Sequence, residues 1–337
     1  MSTTTTTTSI TTSSPVSGKL LYIEPEDPLN VDNRPFYGLP AVKHAEYQTL
    51  PLHDIRTDAA LEGGPRLDIH GFTYKRHVSS LLGEEWFSKE DIAAKYLPEV
   101  EALLKSTTGA KKVAFIMVNF RRKSRTDPFA APALTRENDP IDPTKTVTDK
   151  VLITSSAPDA SNSPVGFVHI DYSRTGIRAV AGESRRDIEV VASDTLAAEA
   201  AALAAGVSLT SARYASYSVW RPLKTVKRDP LIVMDRRSVK VEDLVEVKFR
   251  VPNGRGEDRR GEFLAGACNV KPGNSYDKHM WYWLPEQTPE EVLILRSTDS
   301  AAPEDSCVGA PHTSAIIDGT EGSETRESIE VKAICFW

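Results

Sequence analysis

The feature that most constrains the fold is a series of seven short β-type segments that runs from residue 231 to the end of the chain. Each segment is rich in β-branched or aromatic residues, and Gly, Pro, Asn and Asp cluster between them, which is typical of strands joined by turns. The segments are Leu231–Asp235, Leu244–Val251, Glu262–Asn269, Met280–Leu284, Val292–Arg296, His312–Ile317 and Ser328–Trp337, with a tight-turn signal at Asn253-Gly254. Short strands at this spacing predict a sandwich or a barrel.

Two earlier segments extend this β pattern. Val113–Phe120 is a short apolar run, and Phe167–Tyr172 is rich in aromatic and β-branched residues, so both are predicted to be strands. The total suits an eight-stranded, double-sheet jelly roll. We therefore predict a mainly β protein with flanking helices around a double-stranded β-helix (jelly-roll) core.

Three segments have helical patterns. The first begins at a predicted N-cap, Ser88, carries apolar residues at helical spacing towards Gly109, and contains Pro98 as a potential break. The second is the Ala-rich segment Thr195–Ala205, predicted to be capped by Ser193 or Asp194 and to stop at Gly206. The third is predicted over Leu209–Trp220, before Pro222.

The chain divides into three regions by composition. Residues 1–18 are a Thr/Ser-rich tail with almost nothing to bury, which predicts disorder. Residues 19–110 are predicted to form an arm and a helix that pack on the core, and residues 111–337 the jelly-roll catalytic core. The Pro-rich, polar stretch at 127–162 is long for a loop and is expected to be a lid or locally disordered.

Composition narrows the classes of function. A net charge of −6 with 40% hydrophobic and 26% charged residues indicates a soluble globular protein without a nucleic-acid surface. The three cysteines lack the spacing of a zinc ribbon and are too few for a disulfide framework, which suits the reducing cytoplasm. No apolar stretch approaches the length of a transmembrane helix, so no membrane partner is expected. A homodimer is left open.

His169 and Asp171 lie two residues apart in the predicted strand 167–172. Alternate residues of a strand point to the same face, so the imidazole and the carboxylate could bind one metal ion. With one more histidine they would form the facial triad of non-haem iron(II) oxygenases. A second pair with this spacing, His44 and Glu46, shows that the spacing alone is not specific.

The C-terminal strands supply the missing groups. His312 begins a predicted strand, where it could complete the metal site. Strand alternation places Arg326 and Ser328 on one face together with Ile334 and Phe336. An arginine binds a carboxylate through two parallel hydrogen bonds, and a neighbouring hydroxyl can add a third, so this pair suits a dicarboxylate.

Longer fragments make the pattern specific. They are Trp220-Arg221-Pro222-Leu223, the run from Trp281 to Val292, Pro311-His312 and the run from Arg326 to Val331. From about Gly71 to Trp337 the chain resembles iron(II)/2-oxoglutarate-dependent oxygenases, in particular the group of the gibberellin desaturase, the cephamycin methoxylation protein and a fungal endoperoxide synthase. The resemblance implies that His169, Asp171 and His312 bind Fe(II), that Arg326 and Ser328 hold 2-oxoglutarate, and that O2 is used to abstract hydrogen from a small-molecule substrate.

The substrate is less constrained than the class. Ile334, Phe336, Arg122 and Trp220 are the candidates for the substrate pocket. The ending Ile334-x-Phe336-Trp337 resembles that of a fungal member of the family that closes an aziridine ring from L-valine, which gives the most specific hypothesis. The alternatives are a hydroxylase, desaturase or endoperoxide-forming oxygenase of a terpenoid or peptide-like metabolite in secondary metabolism, and a non-catalytic protein that binds metabolites.

Overall fold

The structure is a computed structural model, and it describes residues 16–126, 134–146, 150–154, 156, 161–207, 212–255, 260–273, 276–303 and 306–337. The strands are β1 (Ser17–Pro25), β2 (Val42–Asp54), β3 (Phe72–Arg76), β4 (Lys112–Arg121), β5 (Leu152–Thr154), β6 (His169–Ile170), β7 (Tyr214–Pro222), β8 (Leu231–Met234), β9 (Leu244–Pro252), β10 (Glu262–Val270), β11 (Trp281–Trp283), β12 (Glu291–Asp299), β13 (His312–Ser314) and β14 (Ser328–Phe336). The α-helices are α1 (Leu67–His70), α2 (Lys89–Asp91), α3 (Leu97–Thr108), α4 (Pro143–Thr146), α5 (Arg174–Glu183) and α6 (Arg186–Ala205). Short 3₁₀ turns lie at Ala59–Leu61, Gly83–Phe87, Arg236–Ser238, Val241–Asp243 and Tyr276–Lys278.

The strands form two sheets. The larger has eight strands in the order β1-β2-β11-β8-β13-β6-β10-β9, and the smaller has six in the order β3-β12-β7-β14-β4-β5. The seven C-terminal strands predicted from the sequence are all present, with ends that move by a few residues. The predicted jelly-roll fold with flanking helices is confirmed.

Alternation along β14 shows how the layers are arranged. Ile329, Val331, Ala333 and Cys335 pack on the outer side of the small sheet with residues of α3, whereas Ile334 and Phe336 join an inner apolar cluster with α5, α6 and β10. The strand is buried on both sides because helices cover one face and the large sheet covers the other. Its even-numbered residues therefore line the space between the sheets.

One predicted helix is wrong. Of the segment 209–220, residues 209–211 lie outside the described residues, and residues 214–220 belong to β7. This strand lies between β12 and β14 and is buried at every position. Small residues such as Ser216 and Ser218 face the space between the sheets, while Val219 packs on the outer side. Two buried faces give a strand a continuous run of small and apolar residues, which periodicity cannot separate from a helix.

For each of the other two predicted helices, the structure confirms one predicted end. Ser88 accepts a hydrogen bond from the Asp91 amide, as a helix N-cap does, but a π-helical turn at Ile92–Tyr96 interrupts the helix just before Pro98. Proline has no N–H to donate, which accounts for a local change of hydrogen-bond pattern. α6 stops at Gly206 with φ +67°, as predicted, but it begins at Arg186, well before the predicted caps.

The N-terminal region contributes to the large sheet. β1 pairs along its whole length with residues 42–51 of β2, and the last three residues of β2 pair with β11 in parallel. Within the predicted tail, residues 1–15 lie outside the described residues and β1 begins at Ser17. Parts of the 127–162 stretch also lie outside them, whereas β5 within that stretch pairs with β4. Among the described helices, none is long and apolar enough to cross a membrane.

Candidate metal and cosubstrate site

His169 and His312 face each other on neighbouring strands. In the antiparallel pair β6 and β13 they are directly opposed, and their ring centres lie 4.4 Å apart. Asp171 follows β6, and its carboxylate oxygens lie 3.7 Å from His169 Nε2 and 3.7 Å from His312 Nε2. One ligand atom from each of the three residues fits within a span of 4.8 Å. The structure thus brings His312 to the His169 and Asp171 pair, from which the sequence separates it by more than 140 residues.

Backbone carbonyls fix the orientation of both histidines. His169 Nδ1 lies 2.9 Å from the Phe167 carbonyl oxygen, and His312 Nδ1 lies 3.0 Å from that of Ala310. A carbonyl oxygen can only accept, so in each ring Nδ1 carries the proton and Nε2 is left with its lone pair. This is the arrangement in which metal-binding histidines are usually held.

Asp171 is held from the opposite sheet. Ser218 of β7 donates a hydrogen bond of 2.6 Å to its Oδ2, and Lys332 of β14 donates one to its Oδ1. Burial would raise the pKa of Asp171, but the charges of Lys332 and His312 hold it well below its usual range. The carboxylate is therefore a fixed anion between the two sheets.

The two histidines titrate differently. Burial and the neighbouring His312 lower the pKa of His169. For His312 burial acts in the same direction, but the Asp171 carboxylate overcomes it and raises the pKa. Two neutral imidazoles and one carboxylate with an open side form the donor set that suits non-haem iron(II), so the residues present fit this metal.

A narrow cleft extends from the two histidines towards Arg326. Arg326 lies just before β14 and is buried; its Nη1 donates to the Asp229 carbonyl oxygen at 2.8 Å, and its guanidinium lies 5.3 Å from the ring centre of Trp220. Its Nε and the Ser328 hydroxyl are both buried without a hydrogen-bond partner among the described residues. Burial lowers the pKa of Arg326 to about 9, and the nearby charges of Arg121 and Arg125 act in the same direction. A carboxylate in the cleft would satisfy both orphaned groups, so the residues fit a dicarboxylate cosubstrate.

Arg121 is a second cation on this cleft. It is paired with Ser328 across β4 and β14, its Nη1 donates to the Ser163 carbonyl oxygen at 2.7 Å, and its Nη2 lies 3.9 Å from Glu330. The sequence leaves both Arg121 and Arg122 open as partners of an anionic ligand, and Arg122 is the one predicted for the substrate pocket. Alternation along β4 contained the necessary signal, because Val118 and Phe120 pack on the outer face and Arg121 therefore points inward.

A cavity of about 620 Å³ lies on the other side of Asp171. Its wall is mostly apolar and comes from β4, β5, β9, β10, α5 and α6. The residues around it are Tyr37, Ile116, Met117, Ile141, Leu152, Thr154, Asn162, Asp171, Tyr172, Val180, Ser184, Arg185, Ile188, Phe249, Val251, Pro252, Phe263, Ala265 and Lys332. Asp171 and Lys332 are the points where this cavity meets the three-residue metal site.

The four residues predicted for the substrate pocket lie in three different places. Ile334 and Phe336 are buried in the inner apolar cluster, which also contains the cavity-lining residues of α5 and β10. Trp220 lies beside Arg326 in the cleft. Arg122 points away from both: its Nε donates to Glu327 at 2.7 Å and its guanidinium stacks on Phe87.

A β-bulge shapes the cavity wall. The register between β14 and β4 slips at Lys332, so that Lys332 is opposite Met117, Ala333 is opposite Phe115, and Ile116 has no partner. As a result the consecutive residues Ile116 and Met117 both reach the cavity. Arg185 stabilises the bulge by donating to the carbonyl oxygens of Phe115 and Ile116, each at 2.6 Å.

A jelly roll that holds two histidines and a carboxylate beside a buried arginine defines a class, the non-haem iron oxygenases that use a dicarboxylate cosubstrate. Residues 20–336 match the family model described as "Oxidoreductase/YMDC permease-like domain". The gibberellin cluster GA4 desaturase of Gibberella fujikuroi is 30% identical over 324 residues, covering 90% of this chain and 91% of that protein. The chain belongs to the family of iron(II)- and 2-oxoglutarate-dependent oxygenases of fungal secondary metabolism.

Other relatives agree with this assignment. The alpha-ketoglutarate-dependent dioxygenase tstK of Talaromyces stipitatus is 28% identical, with 88% of this chain and 87% of that protein covered. The hydroxylase/desaturase efuI of Hormonema carpetanum is also 28% identical, with 89% and 90% covered. Among solved structures, the iron and alpha-ketoglutarate-dependent endoperoxidase NvfI has the same fold, with a TM-score of 0.56 at 18% identity and coverage of 95% and 97%. The protein is an oxidoreductase that uses Fe(II), 2-oxoglutarate and O2 on small molecules.

Proposed function

We propose that His169, Asp171 and His312 hold the iron and that Arg326 and Ser328 hold the distal carboxylate of 2-oxoglutarate. The observation that carries this proposal is a pair of orphaned polar groups. Arg326 Nε lies at the cleft that leads to the two histidines, Ser328 Oγ lies two residues further along the chain, and both are buried without a hydrogen-bond partner among the described residues. Buried polar groups cost free energy when they stay unpaired, so a site with two of them is built for a ligand. Iron(II), together with 2-oxoglutarate and dioxygen, supplies the oxidation of a substrate C–H bond.

The protein's own residues provide orientation and charge. The Phe167 and Ala310 carbonyls keep both Nε2 atoms turned towards Asp171, and Ser218 keeps the carboxylate in place. On the cosubstrate side, Arg121 adds a second positive charge to the cleft. Positive charges in a buried cleft attract a dianion strongly. They would orient 2-oxoglutarate between Arg326 and the metal ligands.

The larger cavity is proposed to bind the substrate. Its 620 Å³ would hold about 20 water molecules at liquid density, at about 30 Å³ each, and its wall is mostly apolar. L-Valine, the most specific hypothesis from the sequence, would fill only a small part of this space. The size and lining instead favour hydroxylation or desaturation of a larger apolar metabolite of terpenoid or peptide-like type.

The test is a comparison of two substrate classes with one enzyme. Purified protein is supplied with iron(II), 2-oxoglutarate and air, and conversion is followed by mass spectrometry for L-valine and for a panel of terpenoids. We expect oxidised terpenoid products, formed with stoichiometric succinate, and unchanged L-valine. Conversion of L-valine alone would overturn the substrate assignment and restore aziridine formation. Absence of any succinate above background would favour the non-catalytic binding protein.

We propose a cytoplasmic location, and the state of the three thiols supports it. Cys268, Cys307 and Cys335 are all free, and burial raises the pKa of each thiol above its usual range. Unpaired thiols suit a reducing environment, which supports placement in the cytoplasm. Fractionation of the producing cells, with an antibody to the protein, would test this placement; recovery in the secreted fraction would contradict it.

A further inference from the structure

Lys332 differs from the other polar residues around the large cavity. The Asn162 side-chain amide donates to Asn119, the Thr154 hydroxyl to the Val118 carbonyl, and the Ser184 hydroxyl to the Val180 carbonyl. The guanidinium of Arg185 is occupied by the bulge carbonyls of β4 and by Asp187. These donors are used to hold the wall together.

The ammonium group of Lys332 has donors to spare. It carries three N–H groups, and in the described part of the chain it makes one hydrogen bond, to Asp171 Oδ1. Glu330 lies 3.9 Å away, which is too far for a hydrogen bond. Only 12% of the side chain is exposed, so solvent satisfies these donors poorly.

Tyr172 lies beside this ammonium. The Lys332 Nζ atom is 5.7 Å from the centre of its ring, and both residues line the cavity. The Tyr172 side chain is buried. A tyrosine hydroxyl is protonated at neutral pH and can donate a hydrogen bond.

We propose that Lys332, assisted by the Tyr172 hydroxyl, binds a carboxylate of the substrate, so that the preferred substrate is an apolar carboxylic acid with its acid group next to the metal site. This inference rests on the proposed function, because it assigns the substrate class of the same cavity. A carboxylate matches the spare donors because its two oxygens accept several hydrogen bonds and its charge complements the ammonium. The apolar wall of the cavity then packs against the rest of the substrate and determines which C–H bond faces the metal site.

The reading in which Lys332 only balances the charge of Asp171 makes a different prediction. If Lys332 only balances the charge of Asp171, the cavity should bind an acid and its neutral ester with similar affinity. A lysine that recognises substrate would separate the two, because a methyl ester keeps the apolar body and loses the anionic group. The ratio of the affinity for the acid to the affinity for its ester therefore distinguishes the two roles, and it can be measured without knowing the natural substrate.

The experiment measures binding to the full-length protein loaded with zinc(II) and 2-oxoglutarate, which cannot turn over. The probes are abietic acid, palmitic acid and N-acetyl-L-valine, each with its methyl ester, titrated by calorimetry. We expect at least one acid to bind about tenfold or more tightly than its ester. In Lys332→Met the ratio should fall to within about twofold, in Lys332→Arg it should recover in part, and in Tyr172→Phe it should fall by a smaller factor.

Three outcomes would overturn the inference: equal binding of acid and ester by the unsubstituted protein, a preference that survives in Lys332→Met, or failure of every acid in the panel to bind. If Lys332→Met does not fold, as judged by its thermal transition, Lys332→Gln decides, since an acid preference that survives the loss of the charge in that variant removes the proposed carboxylate site. The visible band formed anaerobically with iron(II) and 2-oxoglutarate is recorded for the same proteins. A normal band with no acid preference would reject this inference alone, whereas loss of the band in the unsubstituted protein would reject the proposed function.

Discussion

Replacement of Arg326 by methionine tests the cosubstrate cleft most sharply. Methionine keeps much of the apolar length of the side chain and removes the guanidinium, whose Nε has no partner among the described residues. Loss of one partner of a buried, hydrogen-bonded charge pair typically costs about 2–5 kcal/mol. We therefore expect 2-oxoglutarate to bind the variant roughly 30- to 3,000-fold more weakly.

The same substitution should affect folding much less. It removes one hydrogen bond, from Nη1 to the Asp229 carbonyl, worth about 1 kcal/mol. It also removes a buried cation that burial already disfavours, as the lowered pKa of Arg326 shows. The free energy of unfolding of the cosubstrate-free protein should change by no more than about 2 kcal/mol, as measured by urea denaturation.

The assay is calorimetric titration of 2-oxoglutarate into zinc-loaded protein. Arg122→Met is the matched control. Arg122 is a half-buried arginine at the end of β4, and it donates to Glu327 and stacks on Phe87 outside the cleft. It should bind 2-oxoglutarate as the unsubstituted protein does. A change of less than about threefold in Arg326→Met, or an equal loss in both variants, would refute the assignment of the cleft.

Three further predictions concern the metal ligands and the cavity wall. Ser218→Ala removes the hydrogen bond that holds Asp171, so iron(II) affinity should fall about tenfold or more in metal titrations, and an unchanged affinity would show that Ser218 does not position the carboxylate. The pKa of His312 is raised and its imidazole must be neutral to bind metal, so affinity should fall about tenfold per pH unit as the pH drops below that pKa; a flat profile from pH 8 to 5.5 would contradict this. Arg185→Met removes the hydrogen bonds to two bulge carbonyls of β4 and should lower the free energy of unfolding by about 1–3 kcal/mol. The same substitution at the exposed neighbour, Arg186→Met, should leave it unchanged. Equal effects of the two substitutions would show that Arg185 does not stabilise the bulge.

The sequence predicted the fold class because the C-terminal strands carry strong local signals. β14 is the best case: its alternation separates an outer face packed on helices from an inner face that starts at Ser328. β7 was missed for the opposite reason, since both of its faces are buried and its pairing with β12 and β14 is a long-range effect. Helix and strand cannot be distinguished locally in such a segment.

The site could be anticipated only in part. The spacing of His169 and Asp171 placed two side chains together, but the position of His312 opposite His169 depends on sheet order, which no local pattern contains. The sequence leaves Arg121 and Arg122 both open as partners of an anion, and only the pairing of β4 with β14 separates them, because it places Arg121 opposite Ser328 at the cleft. Lys332 was not singled out, because its importance arises from a bulge and from the position of Asp171 on the opposite sheet.

The central claim is that His169, Asp171 and His312 bind iron(II) beside a 2-oxoglutarate site. The most direct measurement is an anaerobic titration of the metal-free protein with iron(II) and 2-oxoglutarate, followed by visible absorption. We expect a weak band that saturates at one iron per chain and is absent in His169→Ala and His312→Ala, while both variants keep their secondary structure. Folded, unsubstituted protein that gives no band, or variants that retain it, would contradict the account.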